Sequence, residues 1–457
     1  MSTINVSCID GFLFTIFHHY YRSSVMNKIT QAIATRTSHR FSYAWIVVAI
    51  IFLVLLTSAG IRATPSVMIL PLEHEFGWNR STISLAISFN IALYGLIGPF
   101  AAAAMQRFGI RPVVMGALVL LSVGTALSTL MQMPWHMVMT WGLLVGSGTG
   151  VAANTLGATI VSRWFEMRRG LAMGLLTASA ATGQMVFLPL MASMVEHYGW
   201  RSVAFLVAIV AAVAVPLVAL FLPERPSDVG LRRYGQAADA PADAEVKAGN
   251  PLAIAFDSLR QAMKVRDFWL LFFSFFVCGM STNGYIGTQF IAMCNDYGIS
   301  EVGGASILAA MGMLDLIGTT LSGWLSDRFN PRVLLFWYYG LRGIALIFLP
   351  YAFGLDYFGL TVFAIFYGLD WIATVPPTVR LANDVFGRLA APIVFGWIVA
   401  GHQLGAATAT TISGFMRANL GDYTASSILM GVACLIGAVM VLRIKGEQHG
   451  KPVAVAA

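Results

Sequence analysis

The chain has 457 residues, of which 58% are hydrophobic and only 11% charged, and its net charge is +7. A soluble domain carries about 25% charged residues, so this composition, with a mean hydropathy of +0.75, excludes an ordinary soluble protein. The positive charge does not indicate a nucleic-acid-binding protein, because the basic residues fall in short loops between apolar runs. The sequence therefore predicts an integral membrane protein.

The first forty residues form a tail to which the sequence assigns no function. Their apolar run, GFLFTIF at 11–17, is too short to cross a bilayer, which takes about 20 residues. No basic region precedes this run and no clear cleavage site follows it, so a secretory signal is a poor fit.

Twelve apolar segments follow, and each approaches or exceeds the roughly 20 residues that a spanning helix needs. Each must be a helix, because in lipid every backbone amide needs a partner within its own segment. The sequence therefore predicts an all-α membrane protein. The segments lie at residues 43–71, 80–104, 112–131, 136–161, 170–194, 201–222, 268–292, 302–325, 332–352, 357–379, 391–416 and 423–443.

The distribution of Lys and Arg predicts the orientation of these helices. With an even number of spans, both termini lie on one side, and nearly all the loop Lys and Arg residues fall on that side. The other side carries only Arg80, Arg201 and Arg417. Because positive loops stay in the cytoplasm, we expect both termini to be cytoplasmic.

A polar linker and an internal repeat divide the chain into two halves. The longest polar stretch begins at Pro223 and is rich in Pro, Ala and charge, which is typical of a flexible connection. QRFGIRPVV at 106–114 aligns with DRFNPRVLL at 327–335, and the same offset aligns FGWN at 76–79 with YGIS at 297–300. Duplicated halves are typical of alternating-access transporters, whose substrate site lies between the halves near mid-membrane. The predicted segments are a tail at 1–40, a six-helix bundle at 41–222, a cytoplasmic linker at 223–267, a second bundle at 268–443 and a tail at 444–457.

Several motifs carry a family resemblance. DRFNPR at 327–332 resembles the cytoplasmic loop motif of the major facilitator superfamily. RWFEMRRGLAMGLLTASAATGQ at 163–184, YGWR at 198–201 and DWIATVPPT at 370–378 resemble motifs of the monocarboxylate transporter family and its bacterial members. The resemblance covers all twelve spans. It implies two pseudo-symmetric six-helix bundles and proton-linked movement of a small organic anion across the bacterial inner membrane. We expect a monomer in the lipid bilayer, with no cofactor and no nucleic-acid partner.

Two positions depart from the family pattern. The family usually has an Asp and an Arg one turn apart on helix 8, whereas this chain has Asp315 followed by Thr319. The position of the family's helix 1 Lys holds Ser66, one turn beyond Arg62.

Arg62 lies near the middle of the first span. A charge at the bilayer centre costs at least about 2.5–3.5 kcal/mol, so such residues face a cavity or a partner. Gly60 and Pro65 predict a loosened helix around it. An arginine at this depth can bind a carboxylate through two hydrogen bonds. The alternatives are that Arg62 extends outward to the membrane surface or pairs with an acid such as Glu73.

Asp315, Arg342 and Asp370 are the candidates for proton coupling. Asp315 and Arg342 lie about 15–18 Å from the same loop, by the rise of a helix, so we expect them to pair across helices 8 and 9. Such a pair can respond to protons or be a static ion pair. Asp370 is the second candidate carrier, and its alternative is a structural role. Pro376 and Pro377 predict a kink beside it.

The remaining candidates are polar residues within the spans or at the loop ends. His402 can titrate near neutral pH, or it can be a packing hydrogen-bonder. The other candidates can bind substrate or a neighbouring helix, and they are Tyr94, Asn154, Gln184, Asn283, Tyr285, Gln289 and Gln403. We expect charges at the loop ends to form a cytoplasmic gate, made of Arg107, Arg111, Asp327, Arg328 and Arg332.

Three functions fit these features. The first is a secondary transporter for a small organic anion, with protons as the coupling partner. The second is efflux of a larger amphipathic compound, and the third is a membrane sensor that has lost transport. The sequence contains no nucleotide-binding loop, metal cluster or catalytic nucleophile arrangement, so it predicts neither an enzyme nor a metal site.

Overall fold

The computed structural model describes Gln31 and residues 42–236 and 251–445. The predicted tail at 1–40, apart from Gln31, the linker residues 237–250 and residues 446–457 lie outside the described part. The described part is helical, and its sole β-type pairing is an isolated bridge between Phe165 and Tyr234. The predicted all-α fold is confirmed.

Six helices form the first bundle, and the bounds agree with the predicted spans to within several residues. They are α1 Tyr43–Phe76, α2 Arg80–Phe108, α3 Ile110–Ser128, α4 Pro134–Trp164, α5 Arg169–Tyr198 and α6 Trp200–Phe221. A linker helix, Pro251–Ala262, then precedes the second bundle.

The second bundle begins with α7 Arg266–Asp296, α8 Glu301–Arg328 and α9 Pro331–Ala352. Helix α10 runs through Asp356–Asp370, resumes at Val375 and ends at a kink at Gly387, after which α11 covers residues 388–420. The last helix is α12, Thr424–Val441. In the described part, ten helices are long and apolar enough to cross a membrane by length and composition alone.

Helix α1 continues without interruption through both of its prolines, Pro65 and Pro71. The loosened helix that we predicted around Arg62 is therefore wrong. Two hydroxyls bond back to the backbone of this helix, since Thr64 Oγ1 donates to the Gly60 carbonyl at 3.0 Å and Ser66 Oγ to the Ala63 carbonyl at 2.6 Å.

Helix α10 is broken, as the two prolines predicted. Its backbone leaves the helix at Trp371–Thr374 and re-enters it at Val375, so that Pro376 and Pro377 lie in the first turn of the second segment. Proline is tolerated there because the first turn has no internal partner for its N–H groups. The break leaves the backbone polar groups of residues 370–373 to be satisfied by side chains of other helices.

Two π-helical segments interrupt the bundles, Val138–Val145 in α4 and Met280–Ile286 in α7. Such segments change the direction of the side chains that follow and occur often at functional sites. The bundles meet where α2 packs on α11, α5 on α8 and α1 on α7. A cavity lies between them.

Candidate functional site

The central cavity lies between the two bundles and has a volume of about 50 Å³. A single water needs about 10–15 Å³, so the cavity has room for a few waters or a small solute in this conformation. Helices α1, α2 and α5 contribute from the first bundle, and α7 and α11 from the second. Its described lining is Ala59, Arg62, Ala63, Pro65, Ser66, Ile87, Asn90, Ile91, Tyr94, Leu188, Asn283, Gly287, Thr288 and Gln403.

Arg62 lines this cavity and is partly buried. Its guanidinium carbon lies 4.9 Å from the centroid of the Tyr94 ring, a cation–π distance. Glu73, the partner considered from the sequence, instead accepts a hydrogen bond from Arg80 at 2.9 Å. Among the residues that the structure describes, none forms an ion pair with Arg62 within 4.0 Å. The cavity therefore contains a cation without a described counter-charge.

Polar side chains from both bundles surround Arg62. Tyr94 and Asn90 lie one turn apart on α2, while Asn283 is placed by the π-helical segment of α7 and Gln403 by α11. Asn90 Nδ2 donates to the Trp141 carbonyl at 2.6 Å, which leaves its amide oxygen as an acceptor. Asn90 was not among the residues predicted from the sequence, although its four-residue spacing from Tyr94 puts both on one face of the helix.

Three predicted substrate contacts lie outside this lining. Tyr285 is fully buried, and its hydroxyl pairs with Ser427 Oγ at 2.5 Å. Gln289 bonds to Ser84 at 3.0 Å, and His402 places its ring 4.8 Å from that of Phe275. Assigning these residues to the cavity was wrong, because the sequence gives their depth in the membrane but not their direction. The side chains of Asn154 and Gln184 lie outside the described part.

Arg342 pairs with Asp370 in the interior of the second bundle. Its Nε lies 2.7 Å from Asp370 Oδ2, and the Arg342 side chain is 0% exposed. The same guanidinium donates to the carbonyls of Asp370 and Trp371, the latter at 3.1 Å, and to Cys278 Sγ at 3.0 Å. Arg342 thus neutralises a carboxylate and satisfies the carbonyls that the break in α10 exposes.

Asp315 does not pair directly with Arg342, so that prediction was wrong. Asp315 Oδ1 accepts hydrogen bonds from Thr319 Oγ1 and from the backbone N–H of Ile372, both at 2.8 Å. The polar face of α8 continues at Ser322, which donates to the Ala373 carbonyl at 2.5 Å. This face therefore binds the broken segment of α10. Asp315 and Arg342 lie at similar depths in neighbouring helices, but this did not make them partners. The backbone groups left unpaired by the break in α10 bond to both side chains, and Arg342 pairs with Asp370 instead.

A second group of charges joins the two bundles at the face opposite the linker, and we name it the interbundle lock. Arg80 of α2 donates to both carboxylate oxygens of Asp296 of α7, at 2.7 and 2.8 Å. It also bonds to Glu73 at 2.9 Å and to the Tyr423 hydroxyl at 3.2 Å. Arg417 of α11 reaches Asp296 at 2.7 Å. The Arg80 side chain is 5% exposed, so these bonds are largely protected from water.

Neutral contacts extend the lock towards the central cavity. Gln289 bonds to Ser84, and Thr411 to Ser88 at 2.7 Å. These hydrogen bonds between the transmembrane bundles lie in the half of the molecule opposite the linker. The structure is therefore closed at the face opposite the linker.

The predicted gate residues lie at the linker face. Arg107 stacks on Phe108, Arg328 stacks on Trp324, and Arg332 donates to the Ile444 carbonyl at 2.7 Å, so these contacts stay within one bundle. Arg111 is buried, and the side chain of Asp327 lies outside the described part. A cytoplasmic gate made by these residues stays a prediction.

The helical fold agrees with comparisons to known proteins. A model of the Major Facilitator Superfamily matches residues 50–391. The chain belongs to the Major Facilitator Superfamily. It is therefore a multi-pass membrane protein of a transporter superfamily, and the prediction that it is not an enzyme is confirmed.

Relatives of this major facilitator protein match it over most of their length. An uncharacterised transporter of the superfamily from Bacillus subtilis (strain 168) is 26% identical over 423 residues, 88% of this chain and 93% of the relative. Monocarboxylate transporter 13 of Bos taurus is 26% identical over 406 residues, 88% of this chain and 89% of the relative.

Solved structures share the fold at lower sequence identity. A bacterial homologue of the human lysosomal transporter Spinster, inward-facing and unoccupied, superposes with a TM-score of 0.71 and 16% identity, over 90% of this chain and 99% of that one. A D-xylose–proton symporter superposes with a TM-score of 0.69 and 15% identity, over 89% and 100%.

Proposed function

We propose that this protein is a secondary transporter that moves a small, monocarboxylate-like organic anion by alternating access, coupled to protons. The observation that carries the proposal is Arg62 in the central cavity, without a described counter-charge and beside the Tyr94 ring. A buried cation is costly unless it is paired, so a site of this kind favours an anionic solute. The similarity to monocarboxylate transporters supports the same class of substrate.

The other cavity residues suit a small anion with a polar substituent. Asn90, Asn283 and Gln403 supply amides from both bundles, and Tyr94 and Ile91 supply apolar surface. A solute that contacts both bundles stabilises the conformation in which they close around it, which couples binding to alternating access. In this conformation the cavity has a volume of about 50 Å³, which suits a small solute.

The buried carboxylates of the second bundle are our candidates for proton coupling. Asp370 Oδ1 is buried without a hydrogen-bond partner among the described residues, whereas Oδ2 pairs with Arg342. Asp315 binds the same broken segment of α10. Protonation of either acid would weaken its bonds at the break and so alter the packing of α8, α9 and α10. This step links proton binding to a movable element of the transporter.

Uptake into proteoliposomes tests the proposal. The full chain is reconstituted and supplied with labelled small carboxylates, with and without an inward proton gradient. We expect saturable uptake that the gradient accelerates, and a loss of at least about tenfold in kcat/KM for Arg62→Gln, since a charge-assisted hydrogen bond contributes about 1.5–3 kcal/mol. Arg62→Lys should retain part of the activity because it keeps the charge.

The control for folding is the thermal unfolding of each variant in detergent, which Arg62→Gln should not lower, since Arg62 makes no described ion pair. Carboxylate uptake that is unchanged in Arg62→Gln contradicts the proposed site. Movement of larger amphipathic compounds without carboxylate flux supports efflux, and binding without any flux supports a sensor.

The variants Asp315→Asn and Asp370→Asn distinguish a role in proton coupling from a role in carboxylate binding. A coupling acid, when neutralised, should abolish gradient-driven uptake while leaving carboxylate exchange across the membrane intact. If both variants keep the full response to the gradient, neither acid carries the proton.

A further inference from the structure

A second cavity, of about 300 Å³, opens at the linker face of the second bundle, where α8 turns into α9. We name it the arginine pocket. It lies at the membrane surface, since both helices are transmembrane and the turn is at their ends. Its described lining is Arg328, Phe329, Asn330, Pro331, Arg332, Arg380, Leu381 and Asp384.

The described lining has three arginines and one acid, Asp384, so it favours an anion. Arg380 Nη1 is buried and has no hydrogen-bond partner among the described residues. Arg332 uses one nitrogen on the Ile444 carbonyl at 2.7 Å, and a guanidinium has five N–H donors in all. The pocket therefore retains donor capacity that its described residues do not use.

Exposed aromatic residues flank the pocket. Arg328 stacks over the Trp324 ring at 4.0 Å, and Trp324 is 51% exposed. Phe329, which lines the pocket, is 54% exposed. Aromatic side chains at the ends of membrane helices lie at the level of the lipid headgroups, where an arginine beside them meets phosphate.

The equivalent turn in the first bundle is filled by the protein itself. There the Glu224 carboxylate accepts the backbone N–H groups of Ile110 at 2.6 Å and Arg111 at 2.8 Å, and lies 3.7 Å from Arg163. The repeat that aligns 106–114 with 327–335 places Lys445 where the first half has Glu224. In the second half, Pro331 has no N–H and the Arg332 N–H donates to Asn330 Oδ1 at 3.0 Å, so this turn is capped by a neutral amide instead of a carboxylate.

We propose that the arginine pocket binds a phosphate group at the membrane surface, from the headgroup of an anionic phospholipid or from free phosphate. Arg328, Arg332 and Arg380 donate to the phosphate oxygens, as guanidinium groups suit this anion. In the phospholipid case, the acyl chains lie along the exposed faces of Trp324 and Phe329. Binding here is separate from the central cavity and does not depend on the transported solute.

The test measures binding to the purified full chain in detergent. Native mass spectrometry compares retention of phosphatidylglycerol with that of phosphatidylcholine of the same acyl chains, and calorimetry measures binding of inorganic phosphate. The variants are Arg380→Gln and Asn330→Asp. The second retains the helix cap that Asn330 gives to the Arg332 N–H at 3.0 Å, because Asp caps as well as Asn, but it adds a negative charge to the pocket. Arg107→Gln is the matched control, since it removes the charge at the repeat position of Arg328.

We expect an approximately tenfold loss of phosphatidylglycerol binding in both variants and a change of less than about twofold in Arg107→Gln. If inorganic phosphate does not compete, phospholipid is the source. If the variants reduce binding of inorganic phosphate and the wild-type chain shows no preference for phosphatidylglycerol, free phosphate is the source. The proposal is overturned if neither variant changes either affinity, or if Arg107→Gln loses as much as they do. Should Arg380→Gln fail to fold, Asn330→Asp decides between these outcomes.

Discussion

Arg62 and Arg342 are both arginines within membrane helices, but their surroundings differ. Arg342 is fully buried and bonds to Asp370, to two backbone carbonyls and to Cys278. Arg62 is partly buried in the central cavity, and the contact described for its guanidinium is the Tyr94 ring. Arg342 is therefore compensated within the protein, whereas Arg62 lines the cavity without a described counter-charge.

The Arg342–Asp370 pair should contribute far more to stability than Asp315 does. Asp370→Asn leaves a fully buried guanidinium without its counter-charge, and breaking such a pair costs about 3–5 kcal/mol. Asp315→Asn keeps an oxygen that can still accept from the Ile372 N–H, so we expect a loss of about 1 kcal/mol or less. Thermal unfolding in detergent measures both. Equal losses would contradict the pairing that the structure shows.

Tyr94 should act on Arg62 through its ring rather than its hydroxyl. Tyr94→Phe keeps the ring 4.9 Å from the guanidinium carbon, so we expect near-normal carboxylate uptake. Tyr94→Ala removes a cation–π contact of about 0.5–2 kcal/mol and should raise KM by about 2- to 30-fold. Initial uptake rates over a range of substrate concentrations separate the two variants. A loss in Tyr94→Phe equal to that in Tyr94→Ala would assign the role to the hydroxyl.

At the scale of helices, α8 and α10 approach each other closely at Gly318. A Cβ atom at this position would overlap the carbonyl oxygen of Leu369, next to the break in α10. Because both helices bind one another through Asp315 and Ser322, separating them disrupts the whole broken segment.

Gly318→Ala should therefore destabilise the protein strongly, by several kcal/mol, or abolish its expression. Gly323→Ala in the same helix is the matched control, because a Cβ there meets no atom within 4 Å. Because alanine has a higher helix propensity than glycine, Gly323→Ala should leave the free energy of unfolding unchanged or raise it by up to about 1 kcal/mol. Expression level and thermal unfolding in detergent measure both. Similar stability of the two variants would contradict the close approach of α8 and α10.

At the scale of the whole molecule, the interbundle lock determines which face is closed. Arg80→Gln removes the charge pair with Asp296 and the bond to Glu73. The side chains of both acids become exposed when the bundles separate. We expect the population open at the face opposite the linker to rise by at least about tenfold, since losing a partly buried charge pair costs more than 1.4 kcal/mol.

Distances between spin labels on the two bundles measure this population. Labels are attached to cysteines introduced at positions 74 and 419, which are exposed, lie near the lock and belong to different bundles. Cys8 is replaced by Ser, and the other native cysteines, Cys278, Cys294 and Cys434, are buried from the label. Arg201→Gln is the control, because Arg201 lies at the same face but pairs with Glu75 of its own bundle at 2.6 Å. An unchanged distance distribution in Arg80→Gln would show that apolar packing alone closes this face.

The sequence alone determined the number of helices, their approximate bounds and the two-bundle fold. Long apolar segments in a membrane have one solution for their backbone, the helix, and the repeat implies two similar bundles. It also singled out Arg62, Tyr94, Asn283 and Gln403, which line the central cavity, because a polar residue within an apolar span is costly enough to be informative.

Only the tertiary structure decided which way these residues face and which partners they have. His402 and Gln403 are adjacent in the chain, yet Gln403 lines the cavity and His402 packs on Phe275. Arg342 bonds to Asp370 rather than Asp315, because the break in α10 places several unsatisfied backbone groups beside both acids. Arg80 and Arg417, which the sequence marked only as loop charges, meet at Asp296 across the two bundles. Depth in the membrane follows from position along a helix, whereas direction and partner depend on how separate helices pack, which no local pattern contains.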